Sequence, residues 1–220
     1  MTSIKDAMET AFNNFVKEHK TVPSTKMTLV QFDDKNDQDV VFQCVPVGAV
    51  EKLRLTPRGW TPLLDAICKL IDRTGERLSE MPESERPDQV LMVIITDGEE
   101  NSSKTFNRQD VFNRVTKQRD TYKWQFIYLG ANQDAIKEAS SIGIPHQHAF
   151  TYQPNAASVR GASCSLISNT MSYTTNQVRG TAVPDFSDDQ REDAITSGSV
   201  GGSTGTSTKN PFDTTSGGTI

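Results

Sequence analysis

The chain has 220 residues, of which 35% are hydrophobic and 23% charged, and its formal net charge is -5. This length suits one domain plus a tail, and the acidic balance without a dense Lys/Arg patch excludes a nucleic-acid binder that works by neutralising phosphates. No signal peptide is visible and no apolar run approaches the roughly 20 residues that span a bilayer, so the sequence predicts a soluble, cytoplasmic protein without a membrane partner.

The first part of the chain predicts a helix, a pair of strands and a second helix. Apolar residues recur at helical spacing from Ile4 to Val16. Two β-rich runs, Met27–Phe32 and Val40–Val47, then have the pattern of a hairpin. A second amphipathic helix is predicted from Thr61 to Leu78, with Pro62 in its first turn.

In the rest of the chain, strand patterns alternate with helix patterns. Strands are predicted at Gln89–Thr96, Trp124–Leu129 and His148–Tyr152, and helices after Asn107, at Asp134–Ile142 and at Ala156–Met171. Asn107 followed by Asp110 has the spacing of a helix capping box. Strands that alternate with helices predict an α/β fold, with a doubly wound, mostly parallel sheet covered by helices on both faces.

Composition divides the chain into three parts. Residues 1–175 carry the strand and helix patterns and are expected to form one domain. Residues 176–196 are an extension whose pattern is ambiguous. Residues 197–220 are rich in Gly, Ser and Thr, so we expect a disordered tail.

Two polar residues stand where such a fold carries its sites. Asp97 directly follows the most apolar strand, and ligands of doubly wound sheets bind outside the carboxyl ends of the strands. Thr61 stands at a loop-to-helix junction between Gly59 and Pro62. Each also has a simpler interpretation: Asp97 as a turn cap beside Gly98, and Thr61 as a helix N-cap. The residues alone leave both interpretations open.

Taken together, residues 59–66 (GWTPLLDA) and 95–101 (ITDGEEN) resemble the von Willebrand factor A family. The segment 124–132 (WQFIYLGAN) is similar to a bacterial and phage branch of that family. In the family, loops of these two kinds and an Asp-x-Ser-x-Ser loop form a metal-ion-dependent adhesion site. The resemblance therefore implies that Thr61 and Asp97 are ligands of Mg²⁺, or of Mn²⁺ or Ca²⁺.

The family resemblance implies metal-assisted, non-catalytic protein binding. Hydroxyls and few carboxylates leave a hard cation incompletely neutralised, so an acidic side chain of a protein partner would complete its shell. Trp60, Glu99 and Glu100 would then belong to the partner-binding rim. Trp60 could instead pack over the helix start, and the two glutamates could be solvated loop charges.

The sequence departs from the family pattern at its beginning, where the first strand and the Asp-x-Ser-x-Ser loop are missing. Met1 leads directly into the first helix, as if it were the methionine of a Ser-Gly-Ser-Met continuation of that loop. We expect about a dozen upstream residues, the length of a strand and its loop, in a longer form of the protein. Without that strand, the edges of its neighbours would be exposed and the metal site would be incomplete.

Three other groups of residues have side chains of types that bind metals in proteins. Asp33 and Asp34 follow a predicted strand and are either alternative acidic neighbours or solvated turn carboxylates. His146 and His148 would share one face of an extended strand, but a zinc site needs a third ligand nearby. The three cysteines are far apart in the sequence and are expected to be buried thiols: Cys44, Cys68 and Cys164.

Two alternatives to a metal-assisted binding module remain. The first is a metal-free structural or scaffold domain of a phage or stress-response assembly. The second is a metal-dependent hydrolase or phosphoryl-transfer enzyme that uses Asp97. An enzyme would need a second carboxylate, a base or a nucleophile beside Asp97, and the sequence motifs indicate none, so we expect that the protein is not an enzyme.

Overall fold

The computed structural model describes residues 2–33, 35, 39–57, 59–131, 134–176, 178 and 180–196. The expected disordered tail, Met1 and Asp34 lie outside these described residues. None of the described helices is long and apolar enough to cross a lipid bilayer.

Eleven regular elements follow one another along the described part of the chain. The helices are α1 (Lys5–His19), α2 (Leu63–Glu80), α3 (Arg108–Tyr122), α4 (Ala135–Ser141), α5 (Ala156–Asn176) and α6 (Asp188–Thr196). The strands are β1 (Lys26–Gln31), β2 (Asp39–Pro46), β3 (Leu91–Thr96), β4 (Gln125–Ala131) and β5 (Ala149–Tyr152). The fold is therefore mixed α/β, as the sequence predicts.

The described strands form two separate sheets. β1 and β2 form the predicted antiparallel hairpin, in which Lys26 is opposite Pro46. β3, β4 and β5 form a parallel sheet in that order, and Leu91 is opposite Gln125 where β3 meets β4. The carboxyl ends of the three parallel strands consequently lie at one edge of their sheet.

Side chains alternate between the two faces of the parallel sheet, and helices cover both faces. Met92 and Ile94 of β3 belong to a buried cluster with residues of α2, α3 and α4. Val93 and Ile95 point to the opposite face, whose cluster includes residues of α1, α5 and α6. Successive residues of a strand point to opposite faces, so an apolar run such as β3 packs on both sides.

Local sequence signals predict some element bounds better than others. The capping box of α3 is confirmed: Asn107 Oδ1 accepts hydrogen bonds from the Gln109 and Asp110 amides, and Asp110 Oδ2 accepts from the Asn107 amide. β5 begins at Ala149 rather than His148, because His146–His148 forms a 3₁₀ turn.

The segment that the sequence leaves ambiguous packs against the domain. Val183, Phe186 and Ala194 are buried in the same cluster as α5 and β5. The rings of Phe150 and Phe186 meet edge to face with centroids 4.6 Å apart, a favoured aromatic geometry. Residues 180–196, which include α6, thus contribute to the core.

The three cysteines differ in burial, so the expectation of buried thiols is right only for Cys68. Cys68 lies in the core, Cys44 is half-buried and Cys164 is exposed. Burial raises the pKa of Cys68 to about 12. Its thiol therefore stays protonated at neutral pH and is a poor nucleophile.

Candidate functional site

The fold brings Thr61 into contact with the turn that contains Asp97. The Thr61 hydroxyl lies 2.9 Å from the position that a Cβ on Gly98 would occupy, although the two residues are far apart in sequence. This distance is shorter than real Cβ contacts allow, so only glycine fits beside the hydroxyl. The two residues expected to bind a cation thus lie on adjacent segments, at the carboxyl edge of the parallel sheet.

The turn after β3 is held by hydrogen bonds from buried side chains. Thr96 Oγ1 donates to the Gly98 carbonyl at 2.9 Å and accepts from the Gly98 amide at 3.3 Å. The Tyr152 hydroxyl, at the end of β5, donates to the Thr96 carbonyl at 3.4 Å. Burial raises the pKa of Tyr152, so its hydroxyl remains a donor. Asp97 is therefore carried by a fixed turn.

Asn101 holds Thr61 from the opposite side of the junction. Its Oδ1 accepts a hydrogen bond from the Thr61 amide at 2.8 Å, and its own amide donates to the Thr61 carbonyl at 3.3 Å. These two bonds fix the backbone of Thr61 and leave its hydroxyl to face Gly98. In the sequence, Asn101 is distinguished only by its place at the end of the segment 95–101.

The interpretation of Thr61 as the N-cap of α2 is wrong. α2 begins at Leu63 after Pro62, and no side chain at its N-cap position makes a capping bond. The Leu64 amide instead donates to Glu100 Oε2 at 3.0 Å and to Ser103 Oγ at 3.1 Å. Two residues of a distant loop therefore accept the hydrogen bonds of this first-turn amide, because Pro62, at the N-cap position, has no side-chain acceptor.

Glu100 has a structural role that the sequence does not predict. Its Oε1 accepts from the Ser102 and Ser103 amides at 2.9 and 2.8 Å, and its Oε2 accepts from the Ser103 hydroxyl at 2.8 Å. Both oxygens are thus engaged in holding the loop and the start of α2. The interpretation of Glu100 as a solvated loop charge is wrong, and its carboxylate is poorly placed to contact a partner as well.

Asp65 is a buried carboxylate that organises the same loop. It accepts hydrogen bonds from the Lys104, Thr105 and Phe106 amides at distances between 2.8 and 3.2 Å. Burial alone would raise the pKa of Asp65, but the three backbone hydrogen bonds together outweigh burial and lower it. Asp65 therefore remains ionised, and its charge is stabilised mainly by these amides and to a smaller extent by the Lys69 ammonium.

Two of the expected rim residues face solvent. Trp60 has 62% of its surface exposed, and Glu99 is also exposed. Most of the surface of Trp60 is thus accessible to a partner. Together with Thr61 and Asp97, these side chains form the outer part of the site, which we call the rim.

Asp33, which follows β1, is buried with 4% of its surface exposed. Its Oδ1 accepts a hydrogen bond from the Lys35 amide at 2.8 Å. The interpretation of Asp33 as a solvated turn carboxylate is therefore wrong. Asp34, the other acidic neighbour considered, lies outside the described residues.

The donor set at the rim partly fits a hard cation. Thr61 offers a hydroxyl and Asp97 a carboxylate, and oxygen ligands of these kinds suit Mg²⁺ and Ca²⁺. Within the described ranges, no group of three or more His, Cys, Asp and Glu side chains converges as a metal site. Two side chains are fewer than the six or more oxygens that such ions take, so other ligands would have to complete the shell.

The two histidines considered for zinc are separated by their local structure. They lie in a 3₁₀ turn, where His146 is exposed and His148 is buried. His148 Nε2 lies 3.3 Å from Asp185 Oδ1. Burial lowers the pKa of His148, although Asp185 opposes this effect. The pair of His148 and Asp185 therefore joins β5 to the segment before α6.

A large cavity opens between the two sheets and reaches the rim. Its volume is about 1150 Å³, and we call it the slot. β1 and β3 line it along their whole length, and residues of α1, α5 and α2 also line it. At one end it is lined by Asp33, Trp60, Thr61, Asp97, Gly98 and Asn101.

Comparisons with protein-family models, with curated proteins and with solved structures find no match for this chain.

Proposed function

We propose that this chain is a protein-binding module of the von Willebrand factor A type that recognises its partner through the rim. The observation that carries this proposal is the packing of the Thr61 hydroxyl against the turn of Asp97 and Gly98, beside an exposed Trp60. An exposed tryptophan next to fixed polar groups is a typical anchor of a protein interface.

The proposed fold is a doubly wound sheet of that type in which a central strand belongs between β1 and β3. Two observations support this proposal. The parallel sheet has helices on both faces, and the facing edges of β1 and β3 line one cavity instead of pairing with each other. Neighbouring strand edges that both border a cavity are open to pairing with a further strand.

A divalent cation would be held at the rim by Thr61 and Asp97. When bound, it would supply positive charge that attracts an acidic side chain of the partner. The Thr61 hydroxyl would orient beside Gly98, and Asp97 would contribute the negative charge. Remaining ligands would come from the partner and from water, so we expect weak cation binding by the chain alone.

Calorimetric titration of Mn²⁺ and Mg²⁺ tests the rim as a cation site. We expect binding to the wild type that is abolished in Asp97→Asn and Thr61→Val. Glu99→Gln is the matched control, because Glu99 is an exposed acidic residue of the same loop and makes no described contact with the start of α2. Equal binding by all four proteins would place the cation elsewhere, and the absence of binding would contradict the metal-assisted proposal.

A metal-free scaffold is the second candidate function. It is favoured by the engagement of Glu100 and Asn101 in structural hydrogen bonds, which leaves few side chains for a cation. Cross-linking of the chain to its cellular partners with and without a chelator separates the two candidates. Partner binding that is lost in Thr61→Ala and Asp97→Ala but is insensitive to the chelator would favour the scaffold.

A further inference from the structure

Residues 180–196, which we call the strap, extend along β5 from its amino end to its carboxyl end. The Phe186 amide donates to the Gln147 carbonyl at 3.0 Å, just before β5. The Ser158 hydroxyl donates to the Ala194 carbonyl and accepts from the amide of the residue that follows β5. Among the described strands, β5 pairs only with β4. The strap therefore lies beside the outermost strand of the parallel sheet.

The strap is attached by a small number of buried side chains. Of its described residues, Val183, Phe186 and Ala194 are buried. The acidic residues of α6 remain exposed: Asp188, Asp189, Glu192 and Asp193. Segments with few buried contacts open locally at a lower free energy than the whole domain unfolds. The strap is thus a segment that can leave the domain while the two sheets stay folded.

His148 joins the strap to the amino end of β5. Its side chain is 9% exposed, its Nε2 lies 3.3 Å from Asp185 Oδ1, and it also forms a hydrogen bond with the Val183 backbone. The other polar contacts at this end come from amide side chains. Gln125 Oε1 accepts from the Val183 amide, and Asn169 Nδ2 donates to the Asp185 carbonyl. Of these contacts, the one that changes charge near neutral pH is therefore that of His148.

The charges around His148 disfavour a protonated imidazole. The positive charge of Arg119, on α3, lowers the pKa of His148. Arg191, on α6, donates from Nη2 to the His146 and Gln147 carbonyls, directly before His148. Its Nε is buried and has no hydrogen-bond partner among the described residues. A protonated His148 would add a further positive charge beside these two arginines.

The negative charges near His148 compensate for this only in part. The side chain of Asp185 is 68% exposed, so water screens its attraction for an imidazolium. Asp120 of α3 is paired with Arg119, and Glu138 of α4 is paired with Arg108. The remaining titratable residues on α4 and β4, which also contact this turn, are Lys137 and Tyr128.

Protonation of His148 consequently favours release of the strap. Burial lowers the pKa of His148 in the docked state, although Asp185 and the Val183 backbone oppose this effect. Release would leave the imidazole in water, with its ordinary pKa of 6.5. Below pH 6.5 the released form therefore binds a proton more readily than the docked form does. The equilibrium shifts towards release as pH falls, until the lowered pKa is reached.

We propose that His148 is an acid-sensitive latch whose protonation releases the strap and uncovers the apolar surface of β5 and α5. That surface includes Phe150, whose ring meets the ring of Phe186, and Leu166 of α5. The latch lies before β5, at the end of the sheet opposite to the rim. This inference goes beyond the proposed function and holds whether or not the rim binds a cation.

Hydrogen–deuterium exchange of the full chain, read by mass spectrometry, tests the latch. The amides of Val183 and Phe186 donate hydrogen bonds to the domain only while the strap is docked. After correction for the intrinsic exchange rate at each pH, we expect their protection to fall severalfold between pH 7.5 and 5.5. One proton changes the ratio of the two forms by at most about tenfold per pH unit. The amides of α3 are the internal reference, and a parallel fall there would indicate global unfolding and overturn the latch.

Substitution of the two histidines of the turn assigns the effect to a residue. We expect His148→Gln, which cannot be protonated, to remove the loss of protection in acid. His146→Gln is the matched control, because His146 is exposed in the same 3₁₀ turn. It should retain the pH dependence of the wild type. If His148→Gln loses protection in acid as the wild type does, His148 is not the latch.

Asp185→Asn tests the latch with the imidazole in place, and it decides if His148→Gln does not fold. The substitution removes the negative charge beside Nε2, so a protonated His148 becomes less favourable in the docked state. We expect protection of the strap to match the wild type at pH 7.5 and to fall further at pH 5.5. Asp189→Asn, at an exposed aspartate in the first turn of α6, is the control. Identical pH profiles for the two variants would also overturn the latch.

Discussion

The Thr61 hydroxyl lies 2.9 Å from the place of a Cβ on Gly98, so these two residues join the loop before α2 to the turn after β3. Alanine at position 98 would force either Thr61 or the turn to move. We expect Gly98→Ala to lower the free energy of unfolding by about 1–3 kcal/mol, the usual cost of overpacking, and to weaken cation binding at the rim. Chemical denaturation and calorimetry measure the two effects.

Gly48→Ala is the matched control for this substitution. A Cβ on Gly48 would meet no heavy atom within 4 Å, so this change should leave stability and cation binding nearly unaltered. Equal stability losses in the two variants would show that the contact between Thr61 and Gly98 is not the cause.

Glu100 is expected to stabilise the start of α2 as well as its own loop. Glu100→Ala removes one of the two acceptors of the Leu64 amide and the acceptor of the Ser102 and Ser103 amides. We expect a loss of about 1–2 kcal/mol in the free energy of unfolding, as for the loss of a helix cap. Glu99→Ala, at the exposed neighbour, should change stability little. A Glu99→Ala loss as large as that of Glu100→Ala would contradict the capping role.

Asp65 is expected to contribute to stability only while it is ionised. Asp65→Asn weakens the bonds from the Lys104, Thr105 and Phe106 amides, and we expect it to cost about 2 kcal/mol near neutral pH, in line with hydrogen bonds to a charged group. Because hydrogen bonding lowers the pKa of folded Asp65 below the ordinary 3.8, its stabilisation is present above pH 3.8 and is lost as pH falls through the lowered value.

Denaturation of both proteins over a pH series measures this dependence. The difference in stability between wild type and Asp65→Asn should be constant above about pH 5 and should shrink in acid. Asp88→Asn, at an exposed aspartate, is the control. A difference that does not change with pH would show that Asp65 acts through its shape and not through its charge.

The two helix starts show how far the sequence could predict this structure. The cap of α3 is made by Asn107 and Asp110, three residues apart, and that spacing is visible in the sequence. The cap of α2 comes from Glu100 and Ser103, which are 36 and 39 residues away from the amide of Leu64 that they bind. A contact between residues so far apart in the sequence leaves no pattern in the spacing of neighbouring residues. The hydroxyl of Thr61, just before the helix, therefore led to the prediction of an N-cap that the structure does not have.

Burial of polar residues was harder to predict than the order of the elements. The strand and helix periods predicted the α/β order, because each period depends on residues a few positions apart. Asp33 directly follows a strand, where solvated turn residues are common, but in the structure it is buried at the end of the slot. The slot lies between β1 and β3, which are far apart in the sequence, so local spacing does not predict this burial. The position of Asp97 at a strand end could be predicted, because the strand that carries it is a local feature.

His19 is expected to make stability depend on pH near neutrality. Burial lowers the pKa of folded His19 below the ordinary 6.5, although its contact with the Phe15 carbonyl opposes this. As pH falls below about 6.5, the unfolded chain binds a proton at this residue before the folded chain does, so stability decreases until the lowered pKa is reached.

His19→Phe keeps a ring that can stack on Phe15 and removes the titration. We therefore expect wild type to lose stability relative to His19→Phe between pH 7.5 and 5.5, measured by urea denaturation. His146→Phe, at an exposed histidine, should follow the wild type, and parallel pH profiles for wild type and His19→Phe would contradict the prediction.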